Sequence, residues 1–199
     1  MGYVTVFQHD MSKELKEIQQ FLSAKADKNN LPFLEKIVPG KQKMYGVKTP
    51  VLNDIVKKYK NGSFDLAEEL WRSGALEEKI IVIKILEKKG KDDPLRLLRL
   101  FKQFCKQIEN WAECDGLGMQ FLRGIVKTHD KEIFALANKL NSSADRWQRR
   151  LSLVMVEWYT GIKEFHPQIK KLVRNLEDDD EYYVKKAVVW IKKNFAKGK

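Results

Sequence analysis

Cysteine, histidine and proline are scarce in this chain. Two cysteines, Cys105 and Cys114, in 199 residues are too few for a disulfide framework and lack zinc-site spacing. A reducing, cytoplasmic setting is the expectation. The three histidines, His9, His129 and His166, stand far apart, without the spacing of metal ligands, and each is expected at the surface. There is no P-loop, dinucleotide fingerprint or zinc signature, so no metal and no cofactor are expected. Long apolar runs are missing too. The strongest stretch, Ile80 to Leu86, is broken by Lys84, whereas a membrane span needs about 20 apolar residues. Met1 to Asp10 has no basic region followed by an apolar core, so neither a signal peptide nor a membrane partner is expected. Five prolines and eleven glycines leave few breakers, and the abundant Lys, Glu and Leu favour helix.

What the chain does have is positive charge. Its net charge is +11 and its pI about 9.5, the footprint of a polyanion binder, nucleic acid foremost. A hydrophobic share of 43% beside 33% charged residues points to a soluble, folded chain rather than a disordered one. The length suits a single domain over residues 1–199.

The helix signals are regular. Ser12 reads as the cap of a helix with Leu15, Ile18, Phe21 and Leu22 on one stripe. Thr49-Pro50 reads as N-cap and first helical residue, turning Leu52, Ile55, Val56 and Tyr59 inward. Ser63 opens a helix carrying Leu66, Leu70 and Trp71. Asp93-Pro94 opens one carrying Leu97, Phe101, Phe104 and Ile108. The β-branched segment Lys79 to Leu86 has charged flanks and a terminal Gly90, which makes it helix rather than strand.

Three later segments align: Asn110 to Lys127, Asp145 to Lys163 and Asp180 to Phe195. Trp111, Trp147 and Tyr183 head them, each 36 residues after the last. Shorter amphipathic helices, Asp130 to Leu140 and Pro167 to Leu176, fall between. A helix pair at that period indicates an all-α fold of HEAT-like helical repeats. Helical spacing puts Trp111, Asp115 and Gly118 on one face, then Trp147, Arg150 and Val154, then Tyr183, Lys186 and Trp190. In a curved right-handed solenoid these faces would line one basic concave groove.

These residues carry a resemblance. Asn110-Trp111-Ala112-Glu113-Cys114-Asp115, Arg146-Trp147-Gln148-Arg149-Arg150, Tyr182 to Trp190, and the loop Gly46-Val47-Lys48-Thr49-Pro50 together resemble the DNA alkylation repair family, alkylpurine DNA glycosylases of HEAT-like repeats. The match runs in order from about Gly46 to Phe195. It implies a catalytic role for Asp115, lesion-flanking roles for Trp111 and Trp190, and a DNA-backbone contact at Arg150, with Arg149, Lys185 and Lys186 beside it. It also implies double-stranded DNA with alkylated bases as the partner, a monomer, and no metal. A further aromatic is expected upstream of the loop, and Phe33-Leu34-Glu35-Lys36-Ile37 gives no match to it.

The chemistry suits the residue types. A purine alkylated at N3 or N7 is already cationic and leaves without a general acid. Bond cleavage builds positive charge on the sugar, which one carboxylate can stabilise while it positions water. Indole faces attract cations, and guanidinium groups grip phosphate. Plainer readings stand beside these. A tryptophan at helical spacing is commonly core, Arg149 and Arg150 could pair with acids of the next repeat, and the lysines could be a solvated face. A non-catalytic HEAT-like protein that binds branched or damaged DNA, or a protein-interaction scaffold, would share the architecture. The acidic run Glu177 to Glu181 is expected to cap the last helix.

Overall fold

Five helix starts among the described residues are capped by small polar side chains. Ser12, Ser63, Asp93 and Asn110 each accept a hydrogen bond from the backbone N–H three residues on, at 2.9–3.2 Å. Asp145 accepts from Trp147 N–H at 2.7 Å. Each satisfies donors that the first helical turn leaves without a partner. The computed structural model describes residues 12–40 and 42–196. The expectations for Met1 to Asp10, His9 included, lie outside the described residues.

Among the described residues the protein is all-helical, with no strand. Its α-helices are α1 (Lys13–Ala24), α2 (Leu31–Ile37), α3 (Thr49–Lys58), α4 (Phe64–Ser73), α5 (Leu76–Lys89), α6 (Pro94–Phe104), α7 (Trp111–Gly116), α8 (Asp130–Asn141), α9 (Arg146–Val154), α10 (His166–Asn175) and α11 (Tyr182–Ala196). The segment Lys79 to Leu86 is helical, as its flanks predict. Two details differ from the sequence reading. Thr49 lies inside α3, and the cap position falls on Lys48, whose side chain makes no capping bond. Phe21 is 41% exposed; it sits at the edge of the α1 stripe, and Leu15, Ile18 and Leu22 alone reach the core.

The packing order is simple. α5, α7, α9 and α11 contact one another in sequence, α4 packs on α5, and α8 and α10 pack on α9. One apolar core runs from Leu15 to Ile191 through all these layers. Contacts recur at the spacing seen in the sequence. Trp71 Nε1–H donates to Gln107 at 3.0 Å, 36 residues on, and Trp147 packs against Tyr183 in a tilted ring pair, centroids 4.9 Å apart. The segments headed by Trp111 and Trp147 are shorter as helices than their patterning predicts. α7 gives way at Leu117 to a single π-helical turn, Leu117–Phe121, and α9 ends at Val154.

The loop Gly46 to Pro50 is held by a buried carboxylate. Glu77, 1% exposed in the first turn of α5, accepts from the backbone N–H groups of Tyr45, Gly46 and Val47 at 2.8–3.1 Å. Gly46 has φ +80°, and a Cβ there would lie 2.3 Å from the Asp27 carbonyl oxygen. Only glycine fits both demands.

Candidate active site

The site begins with how α7 is anchored. It is six residues long, too short to be stable by its own hydrogen bonds. Asn110 caps it, and Glu113 on its inner face is fully buried. Glu113 Oε1 accepts from Lys79 Nζ at 3.0 Å, and its Oε2 accepts from the Glu109 N–H at 3.0 Å. Lys79 is itself 4% exposed and lies over the Trp71 ring. A buried ion pair whose second carboxylate oxygen is also hydrogen-bonded is held in one geometry. Two glycines let α7 and its π turn approach their neighbours. A Cβ on Gly116 would meet Ile83 at 2.7 Å, and one on Gly118 would meet Val154 at 2.7 Å and the Met155 backbone N at 3.0 Å. Gly118 and Val154 are equivalent positions of the 36-residue repeat, and they pack directly together.

So fixed, α7 presents Trp111 and, one turn later, Asp115. Asp115 meets Arg150 of α9 in a two-pronged pair: Nε–H donates to Oδ1 at 3.0 Å and an Nη2–H to Oδ2 at 2.9 Å. The same guanidinium donates from Nη1 to the Tyr183 carbonyl on α11 at 2.7 Å. Three successive aligned segments are thus joined through one side chain. Three of the five arginine N–H groups are engaged in these bonds. Burial pushes the Asp115 carboxyl above its usual value, and the charge and hydrogen bonds of Arg150 act in the opposite direction. The Asp115 side chain keeps 30% of its surface open, against 11% for Arg150. The carboxylate is therefore reachable while its partner is mostly covered.

The remaining predicted residues are placed as follows. Trp111 is half-buried, and its indole N–H donates to the Ile37 carbonyl at the end of α2 at 2.7 Å. Trp190 is half-buried on α11 and packs against the core, two turns beyond Tyr183 on the same helical face. Lys185 and Lys186 are exposed on α11, Lys185 at 4.0 Å from Asp180 and Lys186 over the Tyr182 ring. Arg149 is engaged within the chain. It donates to Asp179 from Nε at 2.6 Å and from Nη2 at 3.3 Å, and from Nη1 to the carbonyls of Ser143 and Ala144. Its partner Asp179 feels burial upward, but Arg149 and the Glu181 N–H win and hold the carboxyl below its usual value. The acidic run is therefore partly a cross-brace: Asp179 reaches α9, and Glu177 pairs with Lys192.

Residues to which the sequence reading gave no role at the site also have places in the structure. Lys79 of α5 lies under α7 and pairs with Glu113 on its buried face. Phe33, 58% exposed, stands one turn before Ile37, whose carbonyl holds Trp111. An exposed aromatic thus lies on the helix tied to the Trp111 indole. His166 is half-buried rather than at the surface, with Nε2 2.7 Å from the Thr160 carbonyl. Cys105 and Cys114 are buried free thiols. The described residues hold no cluster of three or more metal-ligating side chains, and no helix among them is long and apolar enough to cross a membrane.

No curated protein matches the sequence. The family model described as DNA alkylation repair enzyme matches residues 18–199, a span that contains α7, α9 and α11 and every predicted site residue. That description makes DNA the partner and repair the setting. With nearly its whole length matched, the chain belongs to the DNA alkylation repair enzyme family.

Proposed function

We propose that this protein is a monofunctional glycosylase that hydrolyses the N-glycosidic bond of cationic N3- or N7-alkylated purines in duplex DNA. The reading includes a monomer whose HEAT-like repeats curve as a right-handed solenoid around the duplex. The observation that carries it is the two-pronged Asp115–Arg150 pair, covered on the arginine side and open on the carboxylate side.

An alkylated purine needs no protonation to leave. The demand on the protein is to stabilise positive charge at the sugar and deliver water. Asp115, aimed by Arg150, places a negative charge where that cation develops and accepts a proton from the attacking water. Trp111 and Trp190 offer indole faces to the cationic base and sugar, each contributing roughly 0.5–2 kcal/mol. Lys185 and Lys186, exposed on α11, grip phosphate oxygens, while Arg150, mostly covered, orients Asp115 rather than reaching the DNA backbone directly. Arg149 acts as a strut for this surface rather than as a direct contact, since four of its five N–H groups are already committed.

The test is base release from duplex DNA treated with a methylating agent. Asp115→Asn is expected to lower the release rate by about 10²–10³ while duplex affinity stays the same. Equal rates in the two proteins would remove Asp115 from catalysis. Intact binding with no release by either would make the protein a non-catalytic reader of DNA.

A further inference from the structure

A second feature lies on the opposite side of α9 from Arg150. Gln148 and Arg150 are two residues apart, about 200° around the helix. Gln148 lines a cleft of about 800 Å³ that opens between α6 and α8. The cleft exists because the packing leaves those helices apart: α6 leans on α4, whereas α8 packs on α9 and α10.

The cleft has an apolar floor and a basic rim. Leu98 and Leu140 form buried parts of its wall, Leu136 is half-buried, and Leu95 is 72% exposed at its mouth. Arg99, Lys102, Lys106 and Lys139 surround this floor, against one carboxylate, Glu132. Among the described residues none of these four cations has a carboxylate within ion-pair distance. On the same helix Arg96, turned toward α4, is neutralised by Asp65 and Glu68 there. The chain thus balances charge on one side of α6 and leaves it unbalanced beside the cleft.

We propose that the α6–α8 cleft docks an acidic, amphipathic helical segment of a partner protein. Leu95, Leu98, Arg99 and Lys102 follow the i, i+3, i+4, i+7 rhythm of one helix face, and Glu132, Leu136 and Lys139 follow it on the other. Two such stripes receive a third helix by its apolar edge, with acidic residues flanking that edge to meet the rim. α6 is about 16 Å long, so the occupant spans about three turns. A leucine floor is poorly matched to duplex DNA, whose outer surface is phosphate. The chain's own first eleven residues carry one acid, Asp10, and do not supply the complement.

The experiment is selection of a displayed library of helical peptides, about twelve residues long, on the full-length protein. Enriched peptides are expected to combine net negative charge with apolar residues at i, i+3 or i+4, and i+7. Their affinity is expected to fall at least about tenfold in Leu95→Ser/Lys102→Glu/Lys139→Glu, with base release and duplex affinity unchanged. Lys102→Gln alone, a gentler change at an exposed position, is expected to weaken binding about threefold. Enrichment of peptides without acidic residues, equal affinity in these variants, failure to enrich any peptide, or displacement of the peptide by duplex DNA would each overturn the proposal. Because these residues lie apart from Asp115 and Arg150, the result is independent of whether the protein releases bases.

Discussion

At Asp115 two influences on one carboxyl oppose each other: burial raises its pKa and Arg150 lowers it, with burial the larger. The reaction proposed above uses the ionised form. Base release, corrected for uncatalysed depurination, is therefore expected to fall as pH drops, with a midpoint above the ordinary aspartate value of about 3.9. Arg150→Gln removes the opposing charge, so the midpoint is expected to move further up in that variant. A rate-versus-pH series on both proteins checks the sign, and a downward move would show that Arg150 does not hold this carboxylate in its charged form. The pairing was legible as a juxtaposition, because Asp115 and Arg150 each fall about one helical turn after the tryptophan that heads their segment. Its bond to the Tyr183 carbonyl was not, because a main-chain acceptor leaves no mark in residue identity.

The short helix α7 depends on neighbours more than on itself. Gly118→Ala would push a methyl group into Val154 and the Met155 backbone. The expected cost is about 1–3 kcal/mol for overpacking, read as a lower urea midpoint. Base release should fall further than stability alone explains, because α9 carries Arg150. Beneath α7, Lys79→Met leaves Glu113 buried without its cation and is expected to destabilise by about 3–5 kcal/mol. Lys79→Met/Glu113→Gln removes the charge on both sides while keeping an acceptor for the Glu109 N–H, and should recover part of that loss in the same denaturation experiment. The existence of these elements was written in their caps and stripes: Ser63, Asp93 and Asp145 mark their helix starts, as the pattern predicts. Their lengths were not. The end of α7 and its π turn follow from how closely Gly116 and Gly118 approach Ile83 and Val154, which is a tertiary fact. Glu113 also misleads when read alone, since an acid three residues after an asparagine cap signals a solvated first turn, and here it lies in the core.

For the molecule as a whole, the +11 charge predicts salt-sensitive duplex binding. Each phosphate contact contributes a slope of about −0.9 in log K against log salt. Lys185→Ala/Lys186→Ala is therefore expected to shallow the slope by about 1.8, measured by fluorescence anisotropy across a salt series; an unchanged slope would take both lysines off the phosphate path. The repeat period was readable because Trp111, Trp147 and Tyr183 recur every 36 residues. The unbalanced cleft between α6 and α8 was not, because sequence alone could not tell Arg96, which pairs with two carboxylates, from Arg99, which has no carboxylate partner among the described residues. The Arg150 bond to α11 has one more consequence. Its acceptor is a main-chain oxygen, so no side-chain replacement at Tyr183 can delete it, and the contact is immune to point mutation at that residue. With Arg150 in place, it is lost when the first turn of α11 lifts away from α9. The carboxylate proposed for catalysis is thereby made to report on the seating of that turn, and heating should silence the site once the start of α11 detaches, even where the rest of the fold holds.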